Sequence, residues 1–279
     1  MPELPEVETT VRQLRPQLEG AAIERVRVLW ERTVARPSVA AFRRGLAGRT
    51  IVGLRRRAKY LLFDLDDGRV LTGHLRMTGR FFVGDDPEPA HTRVTATLAD
   101  GRHMAFSDVR KFGRLALVRH EDEILPALGP EPLSDTLTGE WLARELRARK
   151  RQLKPLLLDQ AFLAGLGNIY VDESLHRSGL HPLRLSHTVR RPQAEALAGA
   201  IRDVLTRAIE QQGSSFDVFY RTPEGQPGNF QDEFQVYGRD GLPCRTCGAT
   251  IAKFLVGQRG THVCRRCQPA PRRRRRAPA

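Results

Sequence analysis

Lysine is scarce in this 279-residue chain, with five residues against forty-one arginines. Arginine keeps its proton in proteins and lysine can release one, so chemistry that needs an exchangeable ammonium is confined to very few positions. Cysteine is scarcer still: four residues, all between 244 and 267. That leaves no disulfide framework spread along the chain, as a small secreted scaffold would need. No apolar run approaches the ~20 residues of a membrane-spanning helix. The start is acidic and helix-like rather than a secretory leader, so a soluble, cytosolic protein is expected. Acids are also in deficit, which leaves a net charge of +14, five of it in Arg272–Arg276. The remaining nine charges, spread through the folded part, point to a phosphate-rich partner. An acidic membrane surface is the competing partner. The rest is ordinary globular composition, 40% hydrophobic and 28% charged, with room for about two domains.

The chain opens Met1-Pro2-Glu3-Leu4-Pro5-Glu6. Methionine before a small residue is normally trimmed, which would give Pro2 a free secondary amine. An α-amino group titrates near ~7.7–8.0, and proline's amine is more basic, so it needs local help to be neutral at pH 7. A neutral amine attacks a sugar aldehyde carbon to form an iminium, and Glu3 and Glu6 are close enough in sequence to shuttle protons. The structural alternative is that Pro2 and Pro5 merely stiffen a leader into a helix over residues 5–20. Pro5 fits the first turn, Val7, Val11, Leu14 and Leu18 form one apolar stripe, and Gly20 suits the stop. Pro16 is expected to kink that helix or end it early. The positive end of such a helix lowers a nearby amine pKa and favours a carboxylate.

From residue 23 to 118 short alternating segments predict strands: Ile23–Leu29, Thr50–Leu54, Tyr60–Leu65, Val70–His74, Val94–Leu98 and Leu115–Val118. Asp66-Asp67-Gly68, Gly84-Asp85-Asp86-Pro87 and Ala99-Asp100-Gly101 are turn sequences between them. The pattern is that of an antiparallel sandwich. Leu128-Gly-Pro-Glu-Pro132 reads as a hinge, after which Gly139–Lys150, Lys154–Phe162, Asn168–Ser178 and Pro192–Gln211 have helical spacing, with Gly213 closing the last. Residues 217–232 read as a long loop, and the Arg-rich end as a disordered tail.

The cysteines form Cys244-x2-Cys247-x16-Cys264-x2-Cys267, the spacing of a four-cysteine zinc site. Two disulfides are the alternative, which a cytosolic compartment disfavours. Four protein ligands leave zinc no open position, so the expected cofactor is one structural zinc ion that takes no part in catalysis. The hairpin between the knuckles carries Lys253, Gln258, Arg259 and His262 with few acids, and is expected to present its tip to a phosphate backbone.

The opening segment Met1–Thr9 and this module together resemble the bacterial formamidopyrimidine-DNA glycosylases. The likeness continues through Arg57-Ala-Lys-Tyr-Leu61, His74-Leu-Arg-Met-Thr-Gly79, Asp108-Val-Arg-Lys-Phe-Gly113, Leu128-Gly-Pro-Glu-Pro-Leu133, Gly165-Leu-Gly-Asn-Ile-Tyr170, Val236-Tyr-Gly-Arg239 and Gln258-Arg-Gly-Thr261. It covers residues 1–268. The related endonuclease VIII branch reads Gly where this chain has Leu4, which favours the formamidopyrimidine branch.

The resemblance implies an α+β multidomain fold. Its parts are an N-terminal catalytic β-sandwich with flanking helices (1–128), a hinge (129–138), a helix-two-turn-helix domain with a lesion-covering loop (139–232), a zinc finger (233–268) and a basic tail (269–279). It implies a monomeric, bifunctional DNA glycosylase and abasic-site lyase of base-excision repair, acting in the bacterial cytoplasm on double-stranded DNA with damaged bases or abasic sites. The damaged bases are oxidised purines, 8-oxoguanine and formamidopyrimidines, and strand cleavage follows by β,δ-elimination. Alternatives are an oxidised-pyrimidine glycosylase of the endonuclease VIII type and a catalytically silent DNA-binding paralogue. Pro2 is implied as the Schiff-base nucleophile, Glu3 as its acid/base partner, and Lys59 and Arg259 as proton donors for the two eliminations. His74, His91, Arg110 and Arg149 are implied DNA contacts. Met77, Arg110 and Phe112 are implied to fill the gap left by a flipped base.

Several of these residues also have plainer readings. Lys59, in Arg-Arg-Arg-Ala-Lys-Tyr, is otherwise one more solvated charge. Met77 and Phe112, taken singly, read as core; as apolar wedges they would replace stacking that costs a few kcal/mol to break. Gly165-x-Gly167-Asn168 supplies a turn and a helix cap, and N–H groups at such a start, with Asn168, bind phosphate. His74 fits either a buried strand histidine or a phosphate contact.

Overall fold

The structure is a computed structural model that describes residues 1–125, 127–215 and 220–271. Its residues group into two compact units, Met1–Ala127 with Arg207–Gln231, and Leu128–Thr206 with Asp232–Ala279.

In the first unit, helix α1 (Leu4–Leu18) runs as its apolar stripe dictates, with Val7, Val11, Leu14 and Leu18 all fully buried. Pro16 does not end it early: it lies in the last turn, where its missing N–H removes only one helical bond. Gly20, at φ 86, turns the chain out, and its N–H donates to the Ile51 carbonyl at 2.8 Å. Among the described residues nine strands follow: β1 (Ile23–Val28), β2 (Val34–Arg36), β3 (Ile51–Arg57), β4 (Tyr60–Leu65), β5 (Val70–His74), β6 (Gly79–Gly84), β7 (Thr92–Leu98), β8 (His103–Asp108) and β9 (Arg114–Val118). They form two sheets, in order β1-β7-β8-β6 and β2-β9-β5-β4-β3, the second with one parallel pair, β2 and β9. Phe63 of β4, Phe81 of β6 and Phe106 of β8 stack at 5.3 and 5.0 Å between ring centres and join the two sheets through one core. Helix α2 (Val39–Leu46), capped by the Ser38 hydroxyl, buries Phe42 and Leu46 against that core.

The second unit contains α3 (Gly139–Arg147), α4 (Leu153–Leu157), α5 (Asn168–Arg177) and α6 (Arg191–Glu210), the residues of α6 from Arg207 onward grouping with the first unit. Thr138 caps α3 by accepting from the Trp141 N–H at 3.0 Å. Helix α4 is much shorter than the apolar spacing over 154–162 predicts. Asp159 instead accepts the Ala161 N–H on its side chain and the Phe162 N–H on its carbonyl, which turns the chain away. The hairpin β10 (Ile251–Val256) and β11 (Arg259–Cys264) completes the unit.

Residues Arg207–Gln231, which sequence spacing groups with the helical domain, make their contacts in the first unit. Ser214 N–H donates to Glu6 Oε1 at 2.7 Å, and Tyr220 Oη donates to the Glu6 carbonyl at 3.3 Å. The predicted loop ends in a short 3-10 turn at Phe230–Glu233. Its residues 216–219 and the tail 272–279 lie outside the described residues.

Candidate active site and metal centre

Pro2 and Glu3 are both buried at the start of α1. The Glu3 N–H donates to Glu6 Oε2 at 2.8 Å, so Glu6 grips Glu3 with one oxygen and Ser214 with the other. Glu6 thus braces the start of the chain against Ser214. Gly213, at φ 81, makes this possible: a Cβ there would lie 2.9 Å from Glu6 Cγ. Burial, reinforced by the nearby Glu6 charge, pushes the Tyr220 phenol well above its ordinary pKa, so it stays a neutral donor.

Lys59 is buried in the two-residue turn joining β3 to β4, where Arg57 pairs with Tyr60. Its neighbour Ala58 holds φ 52, a conformation that L-residues avoid. The turn is tied back to α1: Arg56 Nη1 donates to the Ala58 carbonyl at 2.9 Å, and Arg56 Nε donates to Glu8 Oε2 at 2.9 Å. Burial works against the Glu8 charge, but hydrogen bonds from Arg12 and Arg56 hold its carboxyl below the usual range. A few residues along, His74 is buried, packs edge-on against Tyr60 at 4.6 Å, and accepts the Arg76 N–H on Nδ1 at 3.0 Å. Burial, with the charges of Arg76 and Lys59, lowers its pKa to about 3, so the ring is neutral and only Nε2–H remains to donate.

Met77 lies half-buried in the β5–β6 turn, while Arg110 and Phe112 are exposed in the β8–β9 loop. The Arg110 guanidinium sits 4.9 Å above the Phe112 ring, and Lys111 Nζ lies 4.1 Å over Trp30. One buried carboxylate organises both segments: Asp108 accepts the Thr78 hydroxyl and the Arg110 N–H (3.2 Å) on Oδ1, and the Gly113 N–H (2.6 Å) on Oδ2. Beneath them, a Cβ on Gly79 or Gly113 would strike the Phe106 ring at 2.9 or 2.4 Å, so both segments lie directly on it. His91 is exposed at φ 65, and its carbonyl accepts the Asp108 N–H at 3.0 Å. Nothing in the sequence around Asp108 marks it for this role; its burial beside two turn segments is visible only in three dimensions.

Among the described residues, six non-glycine positions have positive φ: Ala58, Arg76, His91, Lys111, Gln212 and Gln258. One is His91, and four others adjoin Lys59, Met77, Arg110 with Phe112, and Arg259. Backbone held in sparsely populated regions concentrates at functional sites.

In the second unit, Gly167 caps α5 and Asn168 is its first residue, with Asn168 Nδ2 donating to the Gly260 carbonyl at 3.0 Å. Lys154 and Asp172, both fully buried, pair at 2.6 Å, and the same ammonium reaches the Gly260 carbonyl at 2.9 Å. Arg259 follows a two-residue turn, Gly257-Gln258 at φ 54 and 61, and is exposed. Of the basic residues expected at this tip, His262 is instead buried, its N–H donating to Asp172 Oδ2 at 2.9 Å, and Lys253 pairs with Asp240 at 3.4 Å. Arg149 is engaged within its own unit, bonded to Glu145 Oε2 at 2.6 Å and lying over Phe162 at 5.1 Å.

The four cysteine sulfurs lie within 4.8 Å of one another, with Cys244–Cys267 at 3.9 Å and Cys247–Cys264 at 3.4 Å. These are not disulfides; all four thiols are free. Tetrahedral zinc with ~2.3 Å bonds to sulfur needs neighbours ~3.8 Å apart, which this set provides. Burial opposes charge on Cys244, but the Thr246 and Cys247 N–H groups and the His176 ring lower its pKa to about 6. Burial and the adjoining thiols raise Cys264 and Cys267. Four crowded thiolates need a cation to ionise together, and one structural zinc ion meets that need.

Three family models match the chain: "Formamidopyrimidine-DNA glycosylase N-terminal domain" over residues 1–115, "Formamidopyrimidine-DNA glycosylase H2TH domain" over 128–219, and "Zinc finger found in FPG and IleRS" over 241–270. The formamidopyrimidine-DNA glycosylase of Pelotomaculum thermopropionicum is 45% identical, across 96% of this chain and 99% of its own. That of a Roseiflexus species is 47% identical, across 96% of this chain and 100% of its own. Among solved structures, the MutM (Fpg) protein of Thermus thermophilus superposes with a TM-score of 0.87 at 43% identity, covering 97% of this chain and 100% of that one. The Lactococcus lactis Fpg in complex with abasic-site DNA gives 0.89 at 37% identity, covering 96% and 100%.

Proposed function

The chain belongs to the formamidopyrimidine-DNA glycosylase family, and from that membership we propose how its own residues carry the reaction. The protein is a DNA glycosylase of base-excision repair. Its substrate is double-stranded DNA carrying an oxidised purine, 8-oxoguanine or formamidopyrimidine, and it also cleaves the strand at the abasic site it creates, acting in the cytoplasm.

With Met1 removed, Pro2 presents a secondary amine whose lone pair attacks C1′ of the damaged nucleotide. The glycosidic bond breaks, its electrons leave with the base, and the base takes up a proton. Glu3 delivers a proton to O4′ as the sugar ring opens, leaving an iminium between Pro2 and C1′. The iminium charge acidifies the C2′ proton; its loss expels the 3′ phosphate, and a second elimination expels the 5′ phosphate. Lys59 serves the first elimination and Arg259 the second, the arginine through polarisation or water because it stays charged. Met77, Arg110 and Phe112 occupy the space left by the extruded base, with Arg110 offering its donors to the widowed cytosine. His74, His91, Asn168 and Arg149 contact the backbone, the last only once it leaves Glu145.

The observation that carries this reading is the bracing of the chain start. Pro2 and Glu3 are buried at the positive end of α1, Glu6 fixes the Glu3 N–H, and Arg56 ties the Lys59 turn to the same helix through Glu8. Helix dipole and burial both favour the neutral amine that attack requires.

Borohydride reduces an iminium to a stable amine and should freeze the protein onto lesion-bearing DNA. Peptide mapping should place the adduct on residue 2, and protein retaining Met1 should form none, because its Pro2 nitrogen is an amide. An adduct on Lys59, or strand cleavage by Met1-retaining protein, overturns the assignment.

A further inference from the structure

One face of α5 is polar along its whole length, half-buried at its first member and buried at the next two, and each of its members bonds the cysteine-bearing segment. At positions i, i+4 and i+8, which share a helix face, stand Asn168, Asp172 and His176. Asn168 Nδ2 donates to the Gly260 carbonyl at 3.0 Å. Asp172 Oδ2 accepts the His262 N–H at 2.9 Å. His176 Nε2 lies 3.6 Å from Cys244 Sγ. Beyond the helix end, Gln268 adds a fourth link, accepting the Cys264 N–H at 3.1 Å and donating to the Leu180 carbonyl at 2.9 Å.

We propose that His176 is a positioning residue of the zinc centre, donating its Nε2–H to the Cys244 thiolate and so tying metal occupancy to the seating of the hairpin on α5. This rests on the zinc reading of the four cysteines. A zinc-bound thiolate has no proton to give and can only accept, which fixes Nε2 as the donor. The contact is buried, so water neither competes for the thiolate nor replaces the donor. Groups that hydrogen-bond metal ligands set ligand orientation and charge, and their loss typically weakens metal binding by about 10–100-fold. The first member of the same face holds Gly260, next to Arg259. Metal at one end of α5 and the arginine proposed for the second elimination at the other are therefore fixed by one helix surface.

Two substitutions separate hydrogen bonding from packing. His176→Phe keeps a ring of similar volume and removes the donor; His176→Gln removes the ring and keeps an N–H donor. Zinc transfer from the full-length protein to a colorimetric chelator should be about tenfold faster in the Phe variant and close to wild type in the Gln variant. After cobalt replaces zinc, the sulfur-to-cobalt charge-transfer band should move in the Phe variant and return in the Gln variant. A Phe variant that matches wild type in both readouts, or a Gln variant as leaky as Phe, overturns the role of His176 while leaving the zinc site intact. Wild-type protein purified without zinc would overturn the metal reading itself, and the proposal with it.

Discussion

The Thr78 hydroxyl donates to the Asp108 carboxylate, joining the β5–β6 turn that carries Met77 to the β8–β9 loop that carries Arg110 and Phe112. The two segments are 30 residues apart in sequence and share no strand pairing of their own between Leu75 and Thr78. Asp108 also takes the Arg110 and Gly113 N–H groups, so one carboxylate sets the shape of the loop and its distance from the turn.

Asp108→Asn should therefore be costly despite its size. An amide has one accepting oxygen, so its NH2 must face either the Gly113 N–H or the Arg110 N–H, donor against donor. Bonds of this kind to a charged group contribute about 1.5–3 kcal/mol each. The expected outcome is a loss of about 2 kcal/mol in urea unfolding and slower excision of 8-oxoguanine. Thr78→Ser, which keeps the hydroxyl, should behave as wild type. Unchanged unfolding and excision in Asp108→Asn would contradict the bracing role.

Phe112→Ala and Met77→Ala test the wedge itself. Stacking on nucleic-acid-binding aromatics is worth about 1–3 kcal/mol, so excision of 8-oxoguanine opposite cytosine should slow by roughly tenfold or more. Cleavage at a preformed abasic site should suffer less, because no base remains to be extruded. Equal losses on the two substrates would assign these side chains to packing or general binding.

His74 gives the protein a pH dependence of defined sign. Its folded pKa, about 3, lies below the ordinary 6.5, because burial and the nearby Arg76 and Lys59 charges disfavour the imidazolium. The unfolded chain binds a proton below pH 6.5 while the folded one does not, so stability present above 6.5 is lost as pH falls towards 3. On linkage grounds the loss between pH 6.5 and 5 is about 2 kcal/mol. His74→Gln should flatten that part of the stability profile in urea titrations. A His74 ring resonance that titrates near 6.5 in the native protein would refute the neutral, buried assignment.

The elements with a strong local period were legible from sequence. The α1 stripe is buried as its spacing predicts, β4 and β5 begin and end where the alternation does, and Gly68 and Gly101 take the positive φ of their turns. Strands β6 and β8 were not, since Gly79-Arg-Phe-Phe-Val-Gly84 and His103-Met-Ala-Phe-Ser-Asp108 alternate poorly; their burial comes from Phe81 and Phe106 meeting Phe63 across the sandwich. Helix α2 escaped for lack of length. At the sites, knuckle spacing delivered the four cysteines, because a knuckle is a local feature, whereas the roles proposed for Pro2, Glu3 and Lys59 rest on the chain's opening residues and on the family resemblance. Spacing did not foresee that His262 is buried, nor that Lys253 and Arg149 are engaged by acids placed there by folding, Asp240 and Glu145. It also passed over Thr78, Asp172 and His176, whose partners lie 30, 90 and 68 residues away.

Gly79 and Gly113 lie against the ring of a single phenylalanine, Phe106, which is itself anchored in the aromatic cluster of the sandwich. The height at which Met77, Arg110 and Phe112 stand is thus decided from below, by residues that never meet a nucleotide. Placement and chemistry are separable variables in such an arrangement. The exposed side chains are open to exchange, to suit another opposite base or another lesion, without rebuilding the platform. A methyl group added at either glycine would lift its whole segment and spoil every choice above it. Divergence of specificity in this scaffold is therefore expected to be written in the outward-facing residues, with the two glycines and the ring beneath them held constant.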